Sequence, residues 1–413
     1  MKKFIFVLVC LILFLFFFIF VYYFNSTAVN HPKDDIKNNL LSFNDYVLST
    51  DEINLYKKSG SNYKKVGKAG KNVVLHINQD GKYYKLVDLD DDYYIDGSNI
   101  KNTDEVDQKN DSRYKNYLVF NNNIKTNNQT TFYDDQGNLV YQFNKEYSLP
   151  IIINEKGNYG VEFLGKLLYI HDGEVIENKN TENKNTLGVG VLNYHFFYDE
   201  TDSEEQSKCN QDICTSKNQF QAHLNYIKEN NYFTLTMKEL EMYIDGRIQL
   251  PKSVVITIDD GWRAELGVKM LNDNKLNGTL FLITSLYNSQ NYSSDYVEVH
   301  SHSDNMHNTG VCPSGQGGGI QCLDESTILN DLKISSDKLN GSKVFCYPFY
   351  EYNDYSISML KKAGFVMAFA GETSRSDNMV HVGSNKYNLP RFVVVNYTSM
   401  VDFKNYLEGS YLS

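Results

Sequence analysis

The sequence predicts an α/β domain over residues 188–413, preceded by a small all-β region and, at the N-terminus, a membrane-spanning helix. Three observations support this prediction. An uncharged apolar run extends from Phe4 to Phe24, short alternating apolar runs fill residues 46–185, and strand-like and helical runs alternate from residue 188 onward. With 413 residues, 41% of them hydrophobic, the chain is long enough for two or three domains with buried cores.

Residues 1–24 are predicted to form a transmembrane signal anchor. The length of the apolar run suits a helix that crosses a bilayer. The run ends in Phe and Tyr rather than in the small residues of a cleavage site, so we expect it to be retained. Lys2 and Lys3 should stay in the cytoplasm, which predicts a single-pass cell-membrane protein with the remaining chain on the extracellular face. Residues 25–45 are polar and are predicted to be a linker.

Charge and cysteine content narrow the environment and the partners. The formal net charge is −11, from 40 basic and 51 acidic residues, so nucleic acid is not an expected partner. Two local disulfides, Cys209–Cys214 and Cys312–Cys322, are predicted in an oxidising compartment, the alternative being free thiols. Cys346 lies in an apolar run and is expected to be a buried thiol.

Residues 46–185 carry the pattern of short β-strands separated by turns. The sequence Gln79-Asp80-Gly81 is a hairpin turn signal between two such runs. We interpret residues 46–100 as one β module and residues 101–185 as an Asn- and Lys-rich linker, over 101–128, followed by a second β module. The pieces of residues 46–100 resemble a bacterial SH3 domain in their order, which implies cell-wall binding; a spacer role is the alternative. The pieces that carry this resemblance are Leu55-Tyr56-Lys57, Val66-Gly67, Gly70-Lys71-Asn72-Val73, Asp80–Leu86 and Tyr93-Tyr94-Ile95.

The β-then-α alternation of residues 188–413 points to a parallel β/α barrel or an open α/β sheet. Thr236-Met237-Lys238-Glu239 has the spacing of a capping box and is predicted to open a helix. In a barrel, functional side chains cluster at the carboxyl ends of the strands. Asp259 and Asp260 follow the predicted strand 254–258 and therefore fall at such an end.

Two short motifs indicate a metal centre. Asp259 and Asp260 are adjacent carboxylates, and His302 and His307 are imidazoles five residues apart. One carboxylate and two imidazoles can hold a divalent metal ion with one position open. A second carboxylate beside them could act as a base. The alternative for the first motif is an ordinary Asp-Asp-Gly turn.

Six segments in order resemble the polysaccharide deacetylases of the NodB-homology (carbohydrate esterase 4) family, in the branch that acts on poly-N-acetylglucosamine. The resemblance covers roughly residues 188–400 and implies a distorted (β/α) barrel. The segments are Leu192–His195, Leu250-Pro251-Lys252, Thr257–Gly261, His302–His307, Phe345–Tyr352 and Leu389–Phe392.

The resemblance implies a metal-dependent N-deacetylase that acts on N-acetylglucosamine residues of an extracellular or cell-wall polysaccharide. Zinc is the expected ion. The implied roles are Asp259 as general base, Arg391 as its orienting partner, Asp260, His302 and His307 as metal ligands, Tyr347 and Phe349 as groove residues, and a backbone N–H near Tyr347 or Pro348 as oxyanion donor.

The sequence departs from the family pattern in two places that concern the chemistry. Tyr350 stands where the third motif usually ends in Gly, which could narrow or re-aim the groove. The late Leu-x-His motif that supplies a catalytic acid is missing, so His381 is the candidate acid, or else a surface-loop histidine. His195 could face the site or be a core histidine. Two alternative functions therefore stay open, a catalytically impaired wall-binding protein and an O-acetyl polysaccharide esterase.

Overall fold

The computed structural model describes residues 43–104, 112–120, 123–178, 188–209, 211–371 and 378–409. The predicted membrane anchor, residues 1–24, lies outside the described residues, as does nearly all of the predicted linker 25–45. Within the described ranges, no helix combines the length and the apolar character needed to cross a membrane. Contacts divide the chain into two compact units, one built from residues 43–64 and 72–104 and one from residues 65–71 and the described parts of 112–409.

The first unit is an antiparallel sheet. Its strands pair in the order β2-β6-β5-β4-β1-β7. The predicted hairpin is confirmed, because Asp80 pairs with Tyr83 and Gly81 takes the positive φ of +64° that the turn requires. The resemblance of this unit to an SH3 domain stays a prediction. The strands are β1 Tyr46–Ser49, β2 Ile53–Ser59, β3 Asn62–Ala69, β4 Val74–Asp80, β5 Tyr83–Leu86, β6 Tyr93–Ile95 and β7 Ile100–Asn102, with β3 extending into the second unit.

The second unit begins with another β region. Strands β12, β13, β14, β9 and β10 pair antiparallel in that order, and β10 pairs with residues 67–69 of β3. A separate three-stranded sheet has the order β11-β8-β15. Strand β8 lies within residues 101–128, so part of the predicted linker is regular structure. The strands are β8 Asn123–Thr126, β9 Thr130–Tyr133, β10 Leu139–Phe143, β11 Ser148–Pro150, β12 Ile153–Glu155, β13 Asn158–Phe163, β14 Lys166–His171 and β15 Val175–Asn178.

An α/β domain occupies the rest of the second unit. Its main sheet is parallel, with the strand order β24-β23-β22-β21-β20-β16-β25, and β19 pairs with β20. The strands are β16 Gly190–Tyr194, β17 Phe196–Tyr198, β18 Cys214–Ser216, β19 Phe233–Thr234, β20 Ser253–Ile258, β21 Gly278–Leu282, β22 Val297–Ser301, β23 Val344–Cys346, β24 Met367–Phe369 and β25 Phe392–Val393. The helices are α1 Ser203–Lys208, α2 Lys217–Glu229, α3 Met237–Ile244, α4 Ala264–Asn274, α5 Glu325–Lys338, α6 Asp354–Lys362 and α7 Met400–Glu408.

Burial of the central strands explains their sequence. All six residues of β20 are buried, which is typical of a parallel strand covered on both faces. The pairing of the described strands runs as a path from β24 to β25, so closure of the predicted barrel stays a prediction. Helix α3 begins with the predicted capping box, since Thr236 Oγ1 accepts from the Glu239 N–H and Glu239 Oε2 accepts from the Thr236 N–H.

The parallel sheet brings the chemically important residues to one edge. Asp259 directly follows β20, His302 follows β22 and His195 follows β16, while Cys346 is the last residue of β23. These strands lie close together in the sheet order and run in the same direction, so their carboxyl ends meet. Residues more than 150 positions apart in the sequence are therefore placed in one cluster.

Candidate metal centre and active site

Asp260, His302 and His307 form one group of potential metal ligands. The Oδ1 atom of Asp260 lies 3.3 Å from Nε2 of His302 and 3.3 Å from Nε2 of His307. Each residue offers one ligand atom, and the three atoms all lie within 4.8 Å of one another. The structure thus brings together the three residues that the sequence resemblance named as ligands.

Hydrogen bonding around His302 decides which way its lone pair points. Its Nδ1 lies 2.8 Å from the carbonyl oxygen of Cys346, and since a carbonyl oxygen can only accept, Nδ1 carries the proton. When the ring is neutral, Nε2 presents a lone pair toward Asp260. Within the described part of the chain, no hydrogen-bond donor satisfies the buried Oδ1 of Asp260, although two imidazole nitrogens lie near it. Converging electron-pair donors of this kind could hold a metal ion between them.

The spacing of these atoms fits a small divalent ion. Two atoms that each bind a tetrahedral zinc ion at about 2.0–2.1 Å lie about 3.3 Å apart, which is the separation found for both Asp260–His pairs. Although burial lowers the pKa of His302, Cys346, Asp260 and Asp259 raise it well above its usual value, so without an ion the ring also holds a proton on Nε2, which a metal ion would displace on binding. Burial and the nearby His302 lower the pKa of His307 to about 4, which keeps its imidazole neutral and able to bind a metal ion.

Asp259 is held by a buried bidentate ion pair. Arg391 donates from Nη1 to Oδ1 at 2.8 Å and from Nη2 to Oδ2 at 2.9 Å. Asp259 is 1% exposed and Arg391 is fully buried. Burial opposes ionisation of Asp259, but the guanidinium more than offsets it, so the pKa of Asp259 lies well below its usual range and the group is a carboxylate.

A free thiol completes this ion pair. The Sγ atom of Cys346 lies 3.4 Å from Oδ2 of Asp259 and 3.0 Å from Nη2 of Arg391. The prediction that Cys346 is a buried thiol is confirmed. Its position beside Asp259 was not foreseen, because an apolar run by itself indicates only burial.

His195 and Tyr350 also lie close to Asp259. Nε2 of His195 is 4.0 Å from Oδ2 of Asp259 and 3.2 Å from the Tyr350 hydroxyl. His195 is 8% exposed, so it is both buried and turned toward the site. Burial lowers its pKa, although Asp259 opposes this, and the ring is therefore neutral. Sequence reasoning left the place of His195 open and missed its contact with Tyr350.

The structure does not bring His381 to this cluster. The neighbouring Val380 pairs with Val189, which precedes β16, and His381 lies beside Gly188. His195 follows the opposite end of the same strand. His381 is therefore at the amino edge of the sheet, and its candidate role as the acid is corrected.

Of the third-motif residues Tyr347, Pro348 and Phe349, only Phe349 lies where the sequence resemblance places it. The backbone N–H of Tyr347 donates to the Phe369 carbonyl at 3.0 Å, and the Tyr347 ring is fully buried. Pro348 has no N–H and is also buried. The oxyanion donor therefore does not come from these two residues, and Tyr347 is a core side chain. Phe349 does reach the site, with its ring 4.4 Å from that of His307.

Both predicted disulfides are present, and one of them lies next to the ligand group. Cys209–Cys214 and Cys312–Cys322 are each bonded. The loop closed by the second disulfide begins a few residues after His307. Its backbone is tied to Glu351, whose carboxylate accepts from the N–H groups of Gly317 and Gly318, each at 3.2 Å. This contact links the histidine segment to the segment that carries Phe349 and Tyr350.

Asp331 supports the loop between the two ligand histidines. Its buried carboxylate accepts from the N–H of Asp304 at 2.8 Å and from that of Asn305 at 2.7 Å. Burial raises the pKa of Asp331 to about 6, with Asp304 also raising it and the two backbone N–H groups and Lys338 opposing the rise. The folded protein therefore binds this proton more tightly than the unfolded chain does.

We expect Asp331 to make stability fall as pH rises from about 4 to about 6. In that window the unfolded carboxyl is already ionised while the folded one is still protonated, so unfolding releases a proton and is favoured by raising the pH. Between pH 4.5 and 7.5 the contribution is about 2 kcal/mol. Urea unfolding of the wild type and of Asp331→Asn at both pH values measures it, since the wild type should lose about this much relative to the variant. A stability difference that does not change with pH would contradict the prediction.

Part of the chain is similar in sequence to known polysaccharide deacetylases. Residues 247–368 match the family described as polysaccharide deacetylase. Poly-beta-1,6-N-acetyl-D-glucosamine N-deacetylase from Staphylococcus aureus strain MRSA252 is 26% identical over 237 residues, which cover 49% of this chain and 78% of that protein. The same enzyme from strain MSSA476 is 25% identical over 261 residues, covering 54% of this chain and 86% of that protein.

Two solved structures are also similar. A de-N-acetylase from Aggregatibacter actinomycetemcomitans is 19% identical with a TM-score of 0.44, covering 53% of this chain and 99% of that chain. IcaB from Ammonifex degensii is 19% identical with a TM-score of 0.45, covering 54% of this chain and 97% of that chain. On the match of residues 247–368 and the Staphylococcus aureus relatives, the chain carries a polysaccharide deacetylase domain, an enzyme domain of the class that hydrolyses carbon–nitrogen amide bonds.

Proposed function

We propose that this protein is a metal-dependent N-deacetylase that removes acetyl groups from N-acetylglucosamine residues of an extracellular or cell-wall polysaccharide. The observation that carries the proposal is the Asp260–His302–His307 group, whose ligand atoms converge beside an ionised carboxylate, Asp259. The named activity of the Staphylococcus aureus relatives supports an N-acetylglucosamine polymer as the substrate.

The chemistry divides between the metal ion and the side chains. A divalent ion, zinc in our proposal, would be held by Asp260, His302 and His307 and would supply Lewis-acid activation for hydrolysis of the acetamide. Asp259 accepts the proton of the attacking water and returns it to the leaving nitrogen as the C–N bond breaks. Arg391 fixes both oxygens of Asp259 for that transfer. The products are acetate and a free amine on the sugar.

His195 adds a polar group beside the reacting acetamide. Its imidazole is neutral, and its Nε2 lies 4.0 Å from Oδ2 of Asp259. A neutral imidazole N–H can donate a hydrogen bond to a reacting amide without being consumed. We assign this donor role to His195 in place of the acid role that the sequence suggested for His381.

We propose that the enzyme domain is displayed outside the cell. Residues 1–24 would form a single-pass anchor and residues 25–45 a linker, with the SH3-like module 46–100 and the second β module within 101–185 preceding the deacetylase domain 188–413. Two disulfides in the domain support an oxidising compartment. The β modules would hold the domain near wall polymer.

Acetate release from three polymers tests the proposed function. The full-length protein should release acetate from poly-β-1,6-N-acetylglucosamine or from peptidoglycan, with one new amine for each acetate, and should release little from O-acetylated xylan. Asp260→Asn, which removes a proposed ligand, should lower the rate to background. Release from the xylan alone would replace the proposal with an O-acetyl esterase. Wall binding with no acetate release from any polymer would replace it with a binding protein.

A further inference from the structure

Tyr350 occupies a backbone position that is costly for a side chain. Its φ is +64°, and that of the preceding Phe349 is +56°. Left-handed geometry costs a residue with a Cβ atom about 1–2 kcal/mol, and glycine avoids this cost. Two consecutive residues of this kind persist only where the surrounding structure holds them. The contacts of the Tyr350 side chain therefore have to explain why a tyrosine is present.

The ring of Tyr350 is fitted closely between Arg391 and Gly371. The guanidinium of Arg391 lies 5.4 Å from the ring centroid, within range of a cation–π contact. A Cβ atom at Gly371 would lie only 2.9 Å from Cγ of Tyr350, so the absence of a side chain at Gly371 makes room for the ring. The ring thus packs against the same arginine that holds Asp259.

The hydroxyl of Tyr350 joins Asn193 to His195. It lies 2.8 Å from Oδ1 of Asn193 and 3.2 Å from Nε2 of His195. The amide of Asn193 has a defined orientation, because its Nδ2 donates to the Tyr194 carbonyl at 3.3 Å. Oδ1 can only accept, so the hydroxyl proton of Tyr350 is directed to Asn193. Toward His195, the hydroxyl oxygen then offers only lone pairs.

This arrangement selects the tautomer of His195. Since Tyr350 accepts on the His195 side, Nε2 must carry the ring proton. In the described residues, the buried Nδ1 of His195 has no hydrogen-bond partner. A proton on Nδ1 would be a buried donor left unsatisfied, which costs about 1–3 kcal/mol. The surroundings of Nε2 and of Nδ1 therefore both favour the Nε2–H tautomer of His195.

We propose that Tyr350 is a positioning residue that locks His195 in its Nε2–H form, with that N–H shared between the Tyr350 hydroxyl and the reacting acetamide next to Asp259. This inference rests on the proposed function and deepens it, because it names how the hydrogen-bond donor of the site is set. No net proton passes through Tyr350 or His195. The proton gained by the leaving nitrogen is the one that Asp259 took from water.

Tyr350→Phe tests the proposal, because it removes the hydroxyl and keeps the ring. We expect kcat for acetate release by the full-length protein to fall about 10-fold, the loss of one hydrogen bond, with KM within about twofold of wild type. Tyr352→Phe is the matched control. The Tyr352 hydroxyl contacts Asn388 and its ring stacks on Tyr347, so this variant should keep the wild-type kcat. An unchanged kcat in Tyr350→Phe would overturn the proposal.

A second readout does not depend on activity. Long-range proton–nitrogen NMR distinguishes the two imidazole tautomers, and the His195 signals are assigned by their loss in His195→Gln. The wild type should show the Nε2–H form, and Tyr350→Phe should shift the ring toward a mixture. A wild-type ring protonated on Nδ1 would overturn the inference. A wild type that releases no acetate but shows the expected tautomer would refute the proposed function and leave the Tyr350–His195 link intact.

Discussion

Replacing Arg391 by methionine is expected to lower the free energy of unfolding by about 3–5 kcal/mol. The substitution leaves the carboxylate of Asp259 buried, at 1% exposure, without its bidentate partner. Breaking a buried ion pair on one side is costly because the remaining charge stays desolvated. Without the guanidinium, burial also raises the pKa of Asp259 from its present low value.

Urea unfolding at neutral pH measures this effect. The double variant Arg391→Met with Asp259→Asn is the control, since it removes both charges and should recover part of the lost stability. Lys333→Met breaks an exposed ion pair with Asp337 and should change stability by less than about 1 kcal/mol. A cost for Arg391→Met no larger than that of the surface control would show that the Asp259–Arg391 pair does not organise the site.

Asp259→Asn is expected to lower the rate of acetate release by about 10²–10⁴-fold, the range for loss of a positioned general base. Asparagine is close in shape to aspartate but does not accept a proton at neutral pH. Zinc binding should persist, because the ligand atoms belong to Asp260, His302 and His307. Isothermal titration with Zn²⁺ and an acetate assay on the same sample separate binding from catalysis.

The surface variant Asp337→Asn is the matched control for Asp259→Asn and should keep full activity, because its carboxylate pairs only with Lys333 on helix α5 among the described contacts. Circular dichroism should show that Asp259→Asn is folded, since the change also weakens the pair with Arg391. A folded, zinc-binding Asp259→Asn protein with the wild-type rate would exclude Asp259 as the base.

The grouping of the ligands follows from strand direction, which is visible in the sequence. Asp260 and His302 each come after an apolar strand, and the carboxyl ends of parallel strands meet at one edge. Strand direction does not predict the ion pair between Asp259 and Arg391. The two residues are 132 positions apart, and only the family resemblance connected them before the structure showed their contact.

The parts of the site that the sequence did not predict depend on local backbone geometry. The contact of Tyr350 with His195 requires positive φ angles at Phe349 and Tyr350, which no residue pattern announces when neither is glycine. Tyr347 directly follows β23, and its N–H donates to the carbonyl of Phe369 in β24, so its ring lies in the core. His381 is the only histidine that follows His307 in the sequence, which made it the candidate acid. The structure places it at the amino edge of the sheet, opposite the edge that carries Asp259.

Metal titration of acetate release tests the central claim most directly. The full-length protein is stripped with a chelator, dialysed and then titrated with Zn²⁺ while acetate release from poly-N-acetylglucosamine is followed. We predict no release from the stripped protein, recovery that is complete at one zinc ion per chain, and no recovery in Asp260→Asn. Undiminished release from protein shown to be free of metal would contradict a metal-assisted mechanism at Asp260, His302 and His307.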